Sequence, residues 1–372
     1  MEPFRFVCPC LFGLEGILAG EMRRLGLQEV AAENGRVCFR GNAEDLARAS
    51  LWLRTAERIL IEVAAFPAPT FDALFEGVKA VPWENFIGRQ DAFPVKGWAL
   101  NSALHSIPDC QSIIKKAVVE RLKSAYSITW FEETGVKYQI QFSIMKDQAS
   151  IMLDTSGAGL HKRGYRENAN AAPLRETLAA AIADLAFVKK DTILCDPFCG
   201  SGTILIESAL RAKNIAPGIR RRFAAETWDW VGRKPFEEAR AEALEKIDPT
   251  AGFHAYGGDI DPGAVRLTLQ NAKKAGVGKM IDAVCRDVAD FSLPTEEAVV
   301  ICNPPYGERM LDRPAADALA KKMGEVFRRA GAKKIYVITE NESFETLFGR
   351  PADKRRKLYN GMLRCNLYLY FR

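Results

Sequence analysis

The sequence predicts an α/β fold: a doubly wound, Rossmann-like sheet over residues 159–372, preceded by two smaller α+β units over 1–65 and 66–158. Three observations carry this. From about Gly159 onward, long amphipathic helix stripes alternate with short apolar runs, the pattern of strands that crossover helices cover on both faces. The first half instead alternates short strands and helices, with Asn34-Gly35 as a strong hairpin signal. Finally, several apolar runs of the second half break into residues better suited to holding a ligand than to continuing a strand.

Composition sets the bounds. A chain of 372 residues with 48% hydrophobic and 27% charged side chains is an ordinary globular protein of two or three domains. No apolar run approaches a membrane span, and Met1-Glu2-Pro3-Phe4-Arg5 lacks the features of a signal peptide, so a cytoplasmic protein with no membrane partner is expected. Nine cysteines without a Cys-x-x-Cys pair argue against a disulfide framework and a zinc ribbon, and Cys8-Pro9-Cys10 reads as two reduced thiols. His105, His161 and His254 are too dispersed for a metal cluster, and no metal is expected. The net charge of +5 is mild, but His161-Lys162-Arg163 with Arg166, Arg220-Arg221-Arg222 and Lys354-Arg355-Arg356-Lys357 form clusters suited to phosphate contacts.

Taken in order, Phe4–Val7 reads as a strand, and Leu14, Ile17, Leu18, Met22 and Leu25 recur at helical spacing. Strands at 28–31 and 36–40 flank Asn34-Gly35, a helix begins near Ala43, and 58–63 is a further strand. This β-α-β-β-α-β order is ferredoxin-like. In the second unit Phe71, Leu74, Phe75 and Val78 mark a short helix, and Ile113, Ile114, Ala117, Val118 and Leu122 a longer one. Residues 93–98 lie between them, and 138–144 alternates as a half-buried strand. Neither unit carries a catalytic arrangement of carboxylates, Ser-His or Cys-His.

In the second half, Leu174, Leu178, Ile182 and Leu185 form a helix stripe leading into the strand Ile193-Leu194-Cys195. Asp196-Pro197-Phe198-Cys199-Gly200-Ser201-Gly202-Thr203 follows, then a helix. A strand, glycine turn and helix in this order let backbone approach a ligand closely. Neither a Walker loop nor the full dinucleotide fingerprint is present, and the acid Asp196 suits a cationic ligand better than a pyrophosphate. That fits the amino-acid portion of S-adenosylmethionine. The next strand ends in Asp259-Ile260-Asp261-Pro262, where an acid can take ribose hydroxyls. The third, 281–285, ends near Asp287, placed to accept from an adenine amine.

The fourth strand, Ala298–Cys302, ends in Asn303-Pro304-Pro305-Tyr306. Neither proline can donate to a ladder, so the tetrapeptide is a stiff loop at the carboxyl edge of the sheet. The Asn303 side-chain oxygen and the Pro304 carbonyl can accept from a planar NH2, and Tyr306 can stack on the attached ring. Drawing that amine out of conjugation would ready it for attack on an activated methyl group. A plain Pro-Pro turn closing a strand is the alternative for the tetrapeptide taken alone. A strand at 333–339 and a closing hairpin with its last strand at 364–371 complete the sheet.

These residues resemble the THUMP-domain RNA methyltransferases of the bacterial guanosine N2-methyltransferase type. The stretches that carry the resemblance are 160–166, 172–180, 196–203, 215–218, 258–262 and 303–307, in this order. It implies a class I methyltransferase domain, S-adenosylmethionine as cofactor, an amino-terminal ferredoxin-like domain and an RNA-binding THUMP domain. It also implies cofactor contacts from Pro173, Leu174 and Thr177, ahead of the glycine loop. The similarity is to the methyltransferase half of fused large-subunit rRNA enzymes. After Tyr306 only 66 residues remain (372 − 306), which reads as too few for a downstream DNA-reading domain. Recognition is then expected upstream or in the insertion from Arg211 to Pro249.

The resulting expectation is transfer of a methyl group to guanosine N2 in RNA, most readily 23S rRNA, with tRNA the alternative. Asn303, Pro304, Pro305 and Tyr306 are the catalytic set; Asp196 through Thr203, Asp259, Ile260 and Asp287 hold the cofactor. A protein glutamine N5-methyltransferase, whose carboxamide NH2 presents the same problem, and an inactive RNA-binding assembly factor remain as rivals.

Overall fold

The computed structural model describes residues 3–166, 174–305, 312–361 and 363–371. The first unit has the expected order: β1 (Phe4–Pro9), α1 (Glu15–Arg24), β2 (Gln28–Glu33), β3 (Arg36–Gly41), α2 (Ala43–Trp52) and β4 (Leu60–Pro67). Asn42 starts α2 through a capping box, its side chain accepting from the Asp45 N–H while the Asp45 carboxylate accepts from the Asn42 N–H. The second unit adds α3 (Phe71–Lys79), β5 (Val95–Leu100), α4 (Ile107–Tyr126), β6 (Ile140–Met145) and β7 (Gln148–Asp154). Among these, β7 was not anticipated. It lies between β4 and β6 and is buried along nearly its whole length, so it lacks the alternation that marks a half-exposed strand.

Both units contribute to one seven-stranded sheet of order β2-β3-β1-β4-β7-β6-β5. The shared strand is β4, which pairs with β1 on one side and runs antiparallel to β7 from Leu60↔Asp154 to Pro67↔Gln148 on the other. A division at 65/66 falls inside it.

The second sheet comprises β8 (Ile193–Asp196), β9 (His254–Asp259), β10 (Ile281–Cys285), β11 (Val299–Cys302), β12 (Lys334–Thr339), β13 (Lys354–Asn360) and β14 (Leu363–Tyr370). Its helices are α5 (Glu176–Leu185), α6 (Thr203–Ala212), α7 (Lys234–Glu245), α8 (Pro262–Ala275), α9 (Arg313–Arg329) and α10 (Phe344–Phe348). Leu174, counted in the predicted stripe, precedes α5. The strand order is β10-β9-β8-β11-β12-β14-β13, parallel through β12 and antiparallel in the final hairpin. The chain leaves β8 toward β9 and β10 on one side and returns to β11 on the other. The order therefore reverses between β8 and β11, and such a reversal opens a crevice at the carboxyl ends of the strands. None of the described helices is long and apolar enough to cross a membrane.

The insertion between α6 and β9, one of the places where recognition was expected, is largely turned toward the amino-terminal units. Trp228 is fully buried, stacks on Tyr138 with ring centroids 4.8 Å apart and donates its indole N–H to the Lys137 carbonyl at 3.2 Å. Trp230 packs on Phe4 and Phe86, and α7 packs on α2. The Gly218 N–H donates to the Leu51 carbonyl at 2.9 Å; a Cβ at 218 would lie 2.6 Å from the Ser50 carbonyl oxygen, so the close approach requires glycine.

Two of the three basic clusters are split: Lys162, Arg220 and Arg222 stay exposed while their neighbours turn inward. Arg221 is buried and donates to the Gly159 and Ala158 carbonyls at 3.0 and 2.7 Å. Arg163 is 5% exposed, donates to the Leu160 carbonyl at 2.7 Å and to the Arg54 carbonyl, and faces Glu207 at 3.5 Å. His161 hydrogen-bonds Glu57 at 3.1 Å. These side chains spend their donors inside the protein, because a buried guanidinium must be paired and hydrogen-bonded. Lys354–Lys357, on β13, is exposed, with Arg355 pairing with Glu345 at 3.2 Å.

Candidate active site

At the crevice, β8 ends on Asp196 and the chain turns through 197–202 into α6. Gly200 and Gly202 have φ of +54 and +81, and a Cβ on Gly202 would come within 2.9 Å of Thr268 Cγ2. The turn is braced from β9 and α8. The Gly200 N–H donates to Asp259 Oδ2 at 2.9 Å, the Cys199 N–H to the Gly258 carbonyl at 2.9 Å, and the Thr268 hydroxyl to the Gly200 carbonyl at 2.9 Å. Asn271 Nδ2 donates to the Ser201 carbonyl at 2.9 Å. No side chain caps α6, which leaves its first N–H groups to a ligand.

Above this turn lies a cavity of about 460 Å³. Residues 196–201 and Thr203 form one wall, Asp259, Ile260 and Asp287 another, and Leu174, Asn303 and Pro305 approach from the remaining side. Four strand ends, those of β8, β9, β10 and β11, thus meet at one ligand-sized space. Gly202 shapes the turn without lining the cavity, and Pro304 is buried beside it. Pro173 and Tyr306 lie outside the described residues. Thr177 is placed differently from the expectation: its buried hydroxyl donates to Glu57 Oε1 at 2.5 Å, bonding α5 to the first unit and not to the cavity.

The three acids have distinct surroundings. Asp196 is 2% exposed and accepts the Phe198 N–H at 3.0 Å. Burial, aided by the charge of Asp259, pushes its carboxyl up to about 8. Asp259 accepts the Gly200 N–H and, at 3.0 Å, the Asp261 N–H. Asp287 accepts the Ala289 N–H at 2.7 Å and Lys322 Nζ at 2.9 Å, which together hold it below the usual carboxylate range. Lys322 and Leu319, three residues apart on α9, were not picked out by sequence, nor were Arg286 and Val288 on the cavity wall. Their only sequence signal is position next to a strand end or on an amphipathic helix. Ile260 is 72% exposed at the rim, an apolar face open to a flat ring.

Of the buried side-chain atoms that lack a partner among the described residues, the one on a residue lining this cavity belongs to Asn303. Its side-chain Oδ1 is buried and has no hydrogen-bond partner among the described residues. An unsatisfied buried acceptor costs about 1–3 kcal/mol, and native proteins keep few of them. The arrangement provides an acid that gains from a cation, acids and backbone for hydroxyls, an apolar rim for a ring, and an acceptor awaiting an N–H donor. These residues fit S-adenosylmethionine beside a planar amine.

Residues 163–368 match the RMKL-like methyltransferase domain, residues 5–60 the RlmL ferredoxin-like domain and residues 68–154 the THUMP domain. YpsC of Bacillus subtilis (strain 168), named as a candidate RNA methyltransferase, is 45% identical over 373 residues, covering 100% of this chain and 97% of that protein. The ribosomal RNA large subunit methyltransferase K/L of Shewanella frigidimarina is 31% identical over 376 residues, covering 99% of this chain and 52% of that protein, so the chain spans about half its length. The crystal structure of SMU.472, named as a candidate methyltransferase and complexed with SAH, superposes with a TM-score of 0.94 at 41% identity, covering 100% of this chain and 98% of the other. With its strand order, its glycine turn and these likenesses together, the chain belongs to the RMKL-like methyltransferase family and is an S-adenosylmethionine-dependent methyltransferase built with ferredoxin-like and THUMP domains.

Proposed function

We propose that the protein methylates the exocyclic N2 of a guanosine in RNA, with 23S rRNA as the substrate. The observation that carries the reading is the Oδ1 of Asn303 at the carboxyl end of β11, buried and without a partner among the described residues. The THUMP domain and the names of the relatives support RNA as the acceptor, and the name of the K/L relative supports large-subunit rRNA.

S-adenosylmethionine, when bound, supplies an electrophilic methyl carbon on a sulfonium. Asp196 and the turn at 197–202 would hold its amino-acid end, Asp259 its ribose hydroxyls, and Asp287 with Ile260 its adenine. Asn303 Oδ1 and the Pro304 carbonyl accept from the target NH2. By doing so they pull its lone pair out of conjugation and point it at the methyl group. Neither acceptor takes up a proton near neutral pH, so both orient the amine; the N–C bond would form as the methyl–sulfur bond breaks, the thioether product would leave, and the proton of the alkylated nitrogen would pass to solvent. Tyr306 stacks on the target base, which must leave its helix if paired.

Nucleoside mass spectrometry of rRNA and tRNA from a deletion strain tests the reading. Loss of N2-methylguanosine from 23S rRNA is expected. Its loss from tRNA would move the substrate, and loss of N6-methyladenosine instead would overturn the reading.

A further inference from the structure

The wall of the cofactor cavity is held by a side chain that does not line it. We propose that Arg166 is a positioning residue that sets the shape of the cofactor site; this rests on the reading of the cavity as the S-adenosylmethionine site. Its guanidinium, 11% exposed, donates through Nη1 to the Leu174 carbonyl at 3.0 Å and to Thr203 Oγ1 at 3.1 Å. Through Nη2 it pairs with Glu176 Oε2 at 3.0 Å. That contact is an ion pair without hydrogen-bond alignment.

Leu174 and Thr203 both line the cavity, on opposite sides of the chain that runs through α5 and β8. Thr203 opens α6 and sits 3.2 Å from the Ser201 hydroxyl in the glycine turn. Glu176 opens α5. One planar cation therefore ties together the starts of two helices and the Leu174 backbone on the cavity wall. Arginine suits this because its donors are fixed in a rigid fork, whereas a lysine ammonium is a single point charge that cannot span the same partners. The position explains why Arg166, read from sequence as part of a phosphate-binding cluster, points inward.

The effect falls on cofactor binding because both hydrogen-bond partners of Nη1 are wall groups of the cavity. Without the guanidinium, the Leu174 carbonyl and the Thr203 hydroxyl lose their common anchor, while Asn303 and the acceptor side of the cavity are untouched.

The test is calorimetric titration with SAH together with steady-state methyl transfer to rRNA from the deletion strain. Arg166→Gln, which gives up the charge on both Nη1 hydrogen bonds, should weaken SAH binding and raise KM for S-adenosylmethionine by about tenfold or more, on the scale of charge-assisted hydrogen bonds. The kcat at saturating cofactor and the KM for RNA should stay within about twofold. Arg166→Lys should recover part of the affinity, and Thr203→Val, which deletes one partner, should cost about threefold on the same hydrogen-bond scale. Wild-type SAH affinity in Arg166→Gln, or an equal fall in every kinetic parameter, overturns the proposal. Should Arg166→Gln fail to fold, unchanged SAH affinity in Thr203→Val overturns it. A wild-type protein that does not bind SAH overturns the reading of the cavity itself.

Discussion

The crevice at the strand ends and the seam around residues 158–166 and 218–222 are equally conspicuous in sequence, and the structure treats them in opposite ways. In the crevice, short polar residues follow apolar strands, and the parallel sheet brings them together whatever their other neighbours are. At the seam, runs of arginine announce charge but not direction. Arg163 and Arg221 turn inward because carbonyls of Arg54, Leu160, Ala158 and Gly159 converge on them. Arg163 and Arg54 are 109 positions apart in the chain, a relation no local pattern could display. Strand-end acids are informative because topology fixes where they go; basic runs become informative only once burial is known.

The largest expected effect breaks the seam. Arg163→Met leaves the fully buried Glu207 carboxylate with the Tyr165 hydroxyl, at 3.0 Å, as its hydrogen-bond donor. Removing one partner of a buried ion pair costs about 3–5 kcal/mol, so chemical denaturation should show a loss of that size. Lys162→Met, one residue away and exposed, should stay within about 0.5 kcal/mol of wild type. If Arg163→Met were as stable as wild type and lost RNA affinity instead, the phosphate-contact reading would return.

The next effect belongs to the crevice. Asn303→Ala removes an acceptor that has no partner among the described residues, so folding should be little changed and SAH affinity should stay within about twofold, while turnover falls by about a hundredfold or more, as for other preorganised polar groups aimed at a reacting centre. Unaltered turnover would remove Asn303 from the reaction.

How much of this was legible follows from the same contrast. The order of elements, the Rossmann-like sheet and the convergence of Asp196, Asp259, Asp287 and Asn303 could be read from periodicity and from where it stops. The strand β7 could not, because burial on both faces erases alternation. Nor could the shared strand β4, since a sheet crossing two units leaves no mark in either. Thr177 was given to the cofactor by resemblance, yet its hydroxyl bonds to Glu57, 120 positions away. Lys322 reaches the cavity from α9, 35 positions beyond its partner Asp287.

A smaller effect sharpens the role of Asp196. Burial keeps its proton to about pH 8 in the folded protein, whereas an unfolded aspartate releases it near pH 4. The folded state thus binds more protons across that window, and the free protein should lose stability as pH rises from about 4 to about 8. A cation held by Asp196 requires the ionised form. SAH affinity should therefore strengthen with rising pH, by at most about tenfold per unit, and level off near pH 8. Titration between pH 6 and 8.5 checks this, and Asp196→Asn should flatten the profile. Affinity that weakens as pH rises would sink the assignment.

The smallest effect concerns the third basic cluster, which neither enters the crevice nor folds inward. Lys354, Arg355, Arg356 and Lys357 occupy β13, the edge strand of the second sheet, and all four are exposed. Along a strand successive side chains point to opposite faces, so these cations guard both faces of an edge whose outer N–H and C=O groups lack a neighbouring strand. Charges on an edge discourage pairing with another chain, a role that needs no ligand. Lys354→Ser combined with Arg356→Ser should then leave thermal stability within about 0.5 kcal/mol of wild type and leave methyl transfer to RNA unchanged. The same double variant should self-associate at lower concentration, which light scattering would record. A loss of RNA affinity with no change in self-association would instead give β13 the phosphate-contacting role that the buried Arg163 and Arg221 cannot take.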